Sequence, residues 1–254
     1  RWLLAARNAL YRKAARFVSI SGVIRDEFIA GGVPPEGSAH SPNGIEGASF
    51  PPTDPETRAR LRAELGLPPS AFLFAYSGKL NRGKGLEMLV RAWSHVRAAR
   101  KDAHLVLIGA GGQQFLSCEY LLREDAERRG LANSITFTGY VSRVADYLRA
   151  CDAFVFPSES EALGLALIEA MSCGLPALAS ATGGILDIIQ DGQNGRLLPV
   201  GDETAWAEGM IELMADPDLR KAWSEAGQAT ARERFGMAAA ATAHEQLFRE
   251  VCAA

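Results

Sequence analysis

From Phe72 onward, short runs of β-branched and aromatic residues alternate with longer stretches of helical periodicity. That alternation limits the chain to a parallel α/β sheet with helices on both faces. Strands are expected at 72–77, 104–109, 134–138, 153–156, 176–180 and 195–198, giving six strand–helix units. The helix after the first strand carries Leu86, Leu89, Val90, Trp93 and Val96 on one face, the spacing of a helix packed on a sheet. Asp191-Gly192 and Asn194-Gly195 mark tight turns before the last strand. Open sheets of this kind hold ligands at the carboxyl ends of their strands.

Composition narrows the function classes. With 254 residues, 48% of them hydrophobic, the chain can bury the core of one large or two modest domains. A formal net charge of -3 argues against nucleic acid as a partner, because phosphate-backbone binding shows as a basic excess. Cys118, Cys151, Cys173 and Cys252 are scattered without CxxC spacing. They read as small core fillers in a reducing compartment, with no disulfide frame and no zinc site. No apolar run reaches bilayer-spanning length, and the N-terminus lacks a signal-peptide layout, so a cytoplasmic chain is expected. Residues 2–15 form a basic amphipathic helix pattern, read either as a surface helix or as a peripheral contact to anionic lipid.

The run PSESEALGLALIEAMSCGLP holds the main clue to chemistry. It follows the strand Ala153–Phe156 and opens a helix, so the Pro157-Ser158 turn and the Gly164 hinge put Glu161 on a loop at the sheet's carboxyl edge. Glu169 falls about one and a half turns into the helix. Backbone amides around Gly164 and Leu165 lack intrahelical partners, and the helix dipole favours an anion such as a diphosphate there. Acids beside an amide cradle suit a nucleotide sugar, whose hydroxyls need acceptors and whose phosphates need donors. An ordinary surface helix with an early glutamate fits the same residues.

A second segment, Gly78-Lys79-Leu80-Asn81-Arg82-Gly83-Lys84-Gly85, joins the first strand to its helix. Glycines and cations at that junction suit close approach to a diphosphate, or simply a solvated basic turn. Gly109-Ala110-Gly111-Gly112 lacks the third glycine of a dinucleotide fingerprint. His40, His95, His104 and His244 sit beside no candidate nucleophile and at no metal spacing, so each reads as structural or surface.

The glutamate run resembles the signature of the family 4 retaining glycosyltransferases of GT-B architecture. The likeness extends through Gly174-Leu175-Pro176, SATGG, YSGKLNRGKGLEMLVRAW, LVLIGAGG, ITFTGYVS and DGQNGRLLPVGD, covering most of residues 40 to 215 in the family's order. It implies the Rossmann-like C-terminal, donor-binding domain of a GT-B fold, expected over 45–235. Residues 1–44 then resemble the end of an acceptor domain and a linker, with Ser21 and the Asn43-Gly44 turn in place, the rest of that domain missing. Residues 236–254 resemble the helix that crosses back, and the missing domain would carry any peripheral membrane contact.

The resemblance also implies roles. Glu169 accepts hydrogen bonds from the ribose, Glu161 faces hydroxyls of the donor sugar, and main chain around Val141 holds the base. Lys84 reaches the diphosphate, as does Lys79, which stands where the family has Arg and so gives a point charge for a planar fork. Arg82 lies where it can compensate. Leu163 replaces a frequent Phe, with little consequence expected because backbone makes the contacts there. The implied reaction moves a sugar from a nucleotide-diphosphate donor to an unidentified acceptor with retention, the departing phosphate taking the acceptor's proton. No metal or cofactor is needed for that. The rival readings are a nucleotide-binding module without turnover and, more remotely, a Rossmann-type oxidoreductase. A hydrolase pair is disfavoured by the anion-binding helix start between the two acids.

Overall fold

Short polar-capped elements carry the chain into its sheet. A computed structural model describes residues 14–112 and 116–253; the helix expected at 2–15 lies outside these but for its last two residues. β1 (Phe17–Ser19) pairs in parallel with β2 (Ser38–His40), and α1 (Gly22–Ala30) lies between them in sequence, capped by Ser21. After α1 the chain forms β2 and tight helical turns at 35–37 and 47–49. α2 (Pro55–Glu64) starts where Asp54 accepts a 2.9 Å hydrogen bond from the Thr57 amide, with proline at the first helical position.

β3 (Phe72–Ser77), α3 (Leu86–Ala99), β4 (Ala103–Ile108), α4 (Glu119–Arg128), β5 (Ile135–Phe137) and α5 (Val144–Ala150) build one half of the main sheet. β6 (Ala153–Phe156), α6 (Leu165–Ser172), β7 (Ala177–Ser180) and β8 (Arg196–Leu198) build the other. α7 (Glu203–Ala215), α8 (Pro217–Phe235) and α9 (Met237–Ala253) follow. The six strands are parallel, in the order β5-β4-β3-β6-β7-β8. The winding therefore reverses between β3 and β6, and a crevice opens at the carboxyl ends of those two strands. β4 ends one residue before the expected position because Gly109 turns away at φ 132, where a side chain would stand 2.0 Å from the Gly78 carbonyl.

The core lies between sheet and helices. Phe74, Tyr76 and Phe154 from the strands are fully buried with Trp93 of α3 and Trp206 of α7. Each buried indole N–H keeps an acceptor, Ser134 Oγ for Trp93 and the Pro199 carbonyl for Trp206, both at 3.1 Å. At the amino edge of β3 and β6, Arg62 of α2 donates to the carbonyls of Ala150, Pro69 and Ala71 and to Asp152 Oδ2 at 2.6 Å. Asp152 also accepts from the Leu73 amide and from Arg58.

The segment after β2 is tied to the end of the chain: the Ile45 amide donates to Phe235 O and the Met237 amide to Ile45 O. Gly44 has no room for a side chain, which would lie 2.9 Å from Ala240 Cβ of α9. Cys118, Cys151 and Cys173 are buried thiols as expected, whereas Cys252 is exposed because its helix face has no described neighbour covering it. Among the described residues no helix is long and apolar enough to cross a membrane.

Candidate functional site

Glycines bring two loops together at the crevice. Gly85 adopts φ 68, and a side chain there would stand 1.9 Å from the Pro157 carbonyl, so the loop after β3 lies directly on the loop after β6. The Glu159 amide donates to Gly83 O at 3.0 Å across the same contact. This closeness sets Lys84 Nζ 2.5 Å from Glu161 Oε1. The fully buried Ser158 hydroxyl donates to the same oxygen at 3.0 Å. From the far side the Gly184 amide donates to Glu161 O at 2.9 Å, and Gly183 leaves that carbonyl the space a side chain would take.

A cavity of about 360 Å³ opens over this pair. Gly78, Lys79, Lys84, Glu161, Gly164 and Leu165 line it. Gly164, at φ 107, turns the chain into α6, whose first two amides, Leu165 and Ala166, have no partner in the helix's own ladder and belong to residues lining the opening. Tyr76 fixes the backbone beneath by donating its hydroxyl to Lys79 O at 3.1 Å, while the Lys79 side chain stands exposed. Arg82 is exposed as well, but it is not among the residues lining the cavity; its amide is turned to Leu116 O.

Glu169 lies one helical turn further along α6, about 6 Å from the Leu165 position, and faces an adjoining cavity of about 320 Å³. Ser49, Phe50, Ser142, Arg143 and Asp146 share that cavity. Burial pushes the Glu169 carboxyl above its ordinary value, and its carboxylate has no hydrogen-bond partner among the described residues. A half-buried acid without protein donors takes its hydrogen bonds from solvent or from a ligand that brings hydroxyl or amine protons to it. Val141 is half-buried against the core rather than on the cavity wall, which its neighbours Ser142 and Arg143 supply. Arg143 Nε holds Asp146 Oδ2 at 2.5 Å.

The residues singled out in the sequence thus fall into three groups. Gly78, Lys79, Lys84, Glu161, Gly164 and Leu165 meet at one opening; Glu169 faces the next; Arg82 and Val141 stand outside both. Ser158, Ser49 and Phe50 were not anticipated. Ser158 lay within the PSES run, but nothing in spacing marks a hydroxyl as buried, and Phe50 precedes α2 by a Pro-rich stretch that carries no periodic signal. Of the histidines, His104 is buried and bonded to Thr136, and His95 is exposed beside Glu203.

The profile of the family described as glycosyl transferases group 1 matches residues 57–230. A D-inositol 3-phosphate glycosyltransferase of Xylanimonas cellulosilytica is 35% identical over 208 residues, covering 80% of this chain and 48% of that protein. N-acetyl-alpha-D-glucosaminyl L-malate synthase of Bacillus anthracis is 29% identical over 192 residues, 76% of this chain and 49% of that one. The chain spans about half the length of the curated relatives it matches. Among solved structures, Anabaena Alr3699/HepE in complex with UDP and glucose superposes with a TM-score of 0.86 at 25% identity, over 99% of this chain and 67% of that one.

Proposed function

The chain belongs to the glycosyl transferases group 1 family, and from that premise we propose that its crevice binds a nucleotide-diphosphate sugar and supplies the donor side of sugar transfer to an acceptor hydroxyl. The observation that carries the reading is the meeting, at the point where the sheet's winding reverses, of the Lys84–Glu161 pair with the open amides of α6 and the unpartnered Glu169 one turn away. The complexes of the Anabaena protein with UDP and with UDP-glucose support it, since that fold covers almost all of this chain.

The diphosphate sits at the mouth of α6. There Lys84, Lys79 and the amides of Leu165 and Ala166 meet negative charge that grows as the glycosidic bond breaks, which lowers the barrier to leaving. Glu161 faces the sugar's hydroxyls, and Glu169 accepts hydrogen bonds from the ribose. Front-face displacement, with the departing phosphate taking the acceptor's proton, yields a retained configuration and leaves no step for a protein base. Residues 45–235 serve as this donor unit; Ser41 and Gly44 meet the helix that starts at Met237 through His244 and Ala240, and we assign that flank to the acceptor side. Assayed alone, the 254 residues are expected to bind donor nucleotide and show almost no transfer, because closure of a two-domain cleft assembles the reacting groups.

The decisive experiment is calorimetric titration of the chain and of Glu169→Ala with UDP, GDP and ADP. Loss of an acceptor for two hydroxyls is expected to weaken the best ligand by about 2–4 kcal/mol. Unchanged affinity removes Glu169 from the site, and no binding of any nucleotide to the unmodified chain overturns the donor reading.

A further inference from the structure

One wall of the Glu169 cavity comes from outside every recognisable sequence motif. Phe50 lies in the segment joining β2 to α2, yet it lines the same cavity as Glu169, Ser142 and Arg143. Its position is built rather than accidental. Ser172 Oγ of α6 donates to the Phe50 carbonyl at 2.9 Å, and Ser172 stands three residues after Glu169 on the same helix face. The tight turn at 47–49 closes with the Phe50 amide donating to Gly47 O at 3.0 Å. Five residues earlier, Ile45 is pinned between Phe235 and Met237. Both ends of the segment are held, and an aromatic residue, packed in part on the core, borders a cavity that Val144 and Ala145 line together with the polar residues.

An acid without donors, a serine hydroxyl, an Arg–Asp pair and an aromatic residue together suit a group with hydroxyls at one end and a flat π face at the other. Building on the donor reading above, we infer that Phe50 is a wall of the nucleoside subsite, its ring stacking on the base whose ribose meets Glu169. Stacking tolerates any base, because each has a π face, so Phe50 supplies affinity while the polar groups of Ser142, Arg143 and Asp146 choose among bases. The segment that carries Phe50 also carries Ile45, so the residues bonded to the start of α9 are continuous with the wall of the nucleotide pocket.

The test is competitive titration of the full chain, Phe50→Ala, Phe50→Leu and Phe50→Trp with the best-binding nucleoside diphosphate and with its nucleoside. Phe50→Leu retains apolar bulk against the core, so melting temperature separates folding loss from site loss. Both Ala and Leu variants are expected to weaken diphosphate and nucleoside by the same factor, about 5- to 100-fold for a lost base–aromatic stack, with Trp restoring most of it. Unchanged affinity in the Leu variant while the unmodified chain binds, or a loss confined to the diphosphate, overturns the assignment. Absence of all nucleotide binding in the unmodified chain is the separate failure of the donor reading, and this assignment falls with it.

Discussion

Two ion pairs bridge the same neighbouring strands at opposite ends. At the amino edge of β3 and β6, Arg62 and Asp152 are 9% and 17% exposed, and Arg62 also donates to three carbonyls while Asp152 takes a backbone amide and Arg58. At the carboxyl edge Lys84 and Glu161 are 31% and 15% exposed; Lys84 has the single described partner Glu161, and Glu161 adds only Ser158. The first pair is saturated and serves the fold. The second keeps donors in hand and faces a cavity, and the proposed donor reading has it exchange partners when an anion arrives. The two differ in what surrounds each charge, because both are a cation on one loop or helix meeting a carboxylate on the chain flanking β6.

The contrast is tested most strongly at the amino edge. Arg62→Ala takes one of two cations from Asp152 and the donor from the Ala150, Pro69 and Ala71 carbonyls, and is expected to destabilise the chain by about 2–3 kcal/mol in urea unfolding, with nucleotide affinity unchanged wherever the protein is folded. A loss below about 1 kcal/mol, which is what an exposed pair is worth, would erase the distinction. The same edge contains His104, paired in register with Leu73, where burial pushes the imidazole down to about 4, with Arg97 adding to the effect. The fold holds it neutral while the unfolded chain protonates it below about 6.5. Stability is therefore full above that pH and falls as pH drops toward 4, by at most about 3 kcal/mol. Replacing His104 with Gln, which keeps a partner for Thr136, should flatten that part of the pH–stability curve.

At the carboxyl edge the readout shifts to binding. Lys84→Ala is expected to cost about 2 kcal/mol in affinity for a nucleoside diphosphate, the scale of one charge-assisted hydrogen bond, and almost nothing for the nucleoside. Equal loss for both would mean harm to the fold, making this pair resemble its amino-edge counterpart. The smallest effect is the most discriminating. Glu161→Gln removes the competitor for Lys84, so affinity for the diphosphate alone should rise slightly, by less than about 1 kcal/mol for a partly exposed pair, while sugar transfer falls. Tighter turnover, or weaker diphosphate binding, would refute the exchange of partners. Acid should weaken nucleotide binding too, because Glu169 has a raised pKa and loses acceptor capacity as it protonates. Its buried charge works against folding above its unfolded value, and ribose hydroxyls would offset that.

Much of this was legible along the chain because it is written in local pattern. Parallel strands buried on both faces read as apolar runs, and the helix at Leu86 shows its face in the spacing of Leu89, Val90 and Trp93. Glu161, Lys84 and Gly164 could be named because strand-to-helix loops place such residues at one sheet edge whatever the details. The Asp54-Pro55 start of α2 is equally local, a side-chain cap followed by proline at the first helical position. Ser158 and Arg62 were not open to such reading. A serine's burial and an arginine's saturation depend on which carbonyls and carboxylates fold around them, at separations of up to 90 residues in Arg62 and Asp152.

Local periodicity and glycine-marked loops determined the class of fold and the edge at which chemistry gathers, since both depend on neighbours within a few residues. Tertiary structure alone decided that Lys84 and Glu161 are bonded to each other, that Arg82 and Val141 stand off the cavities, and that Phe50 reaches the pocket of Glu169. The reason is geometric. Those facts turn on how close separate segments approach, set here by Gly85 against Pro157 and Gly183 against Glu161, where the missing side chains are the space that contact requires.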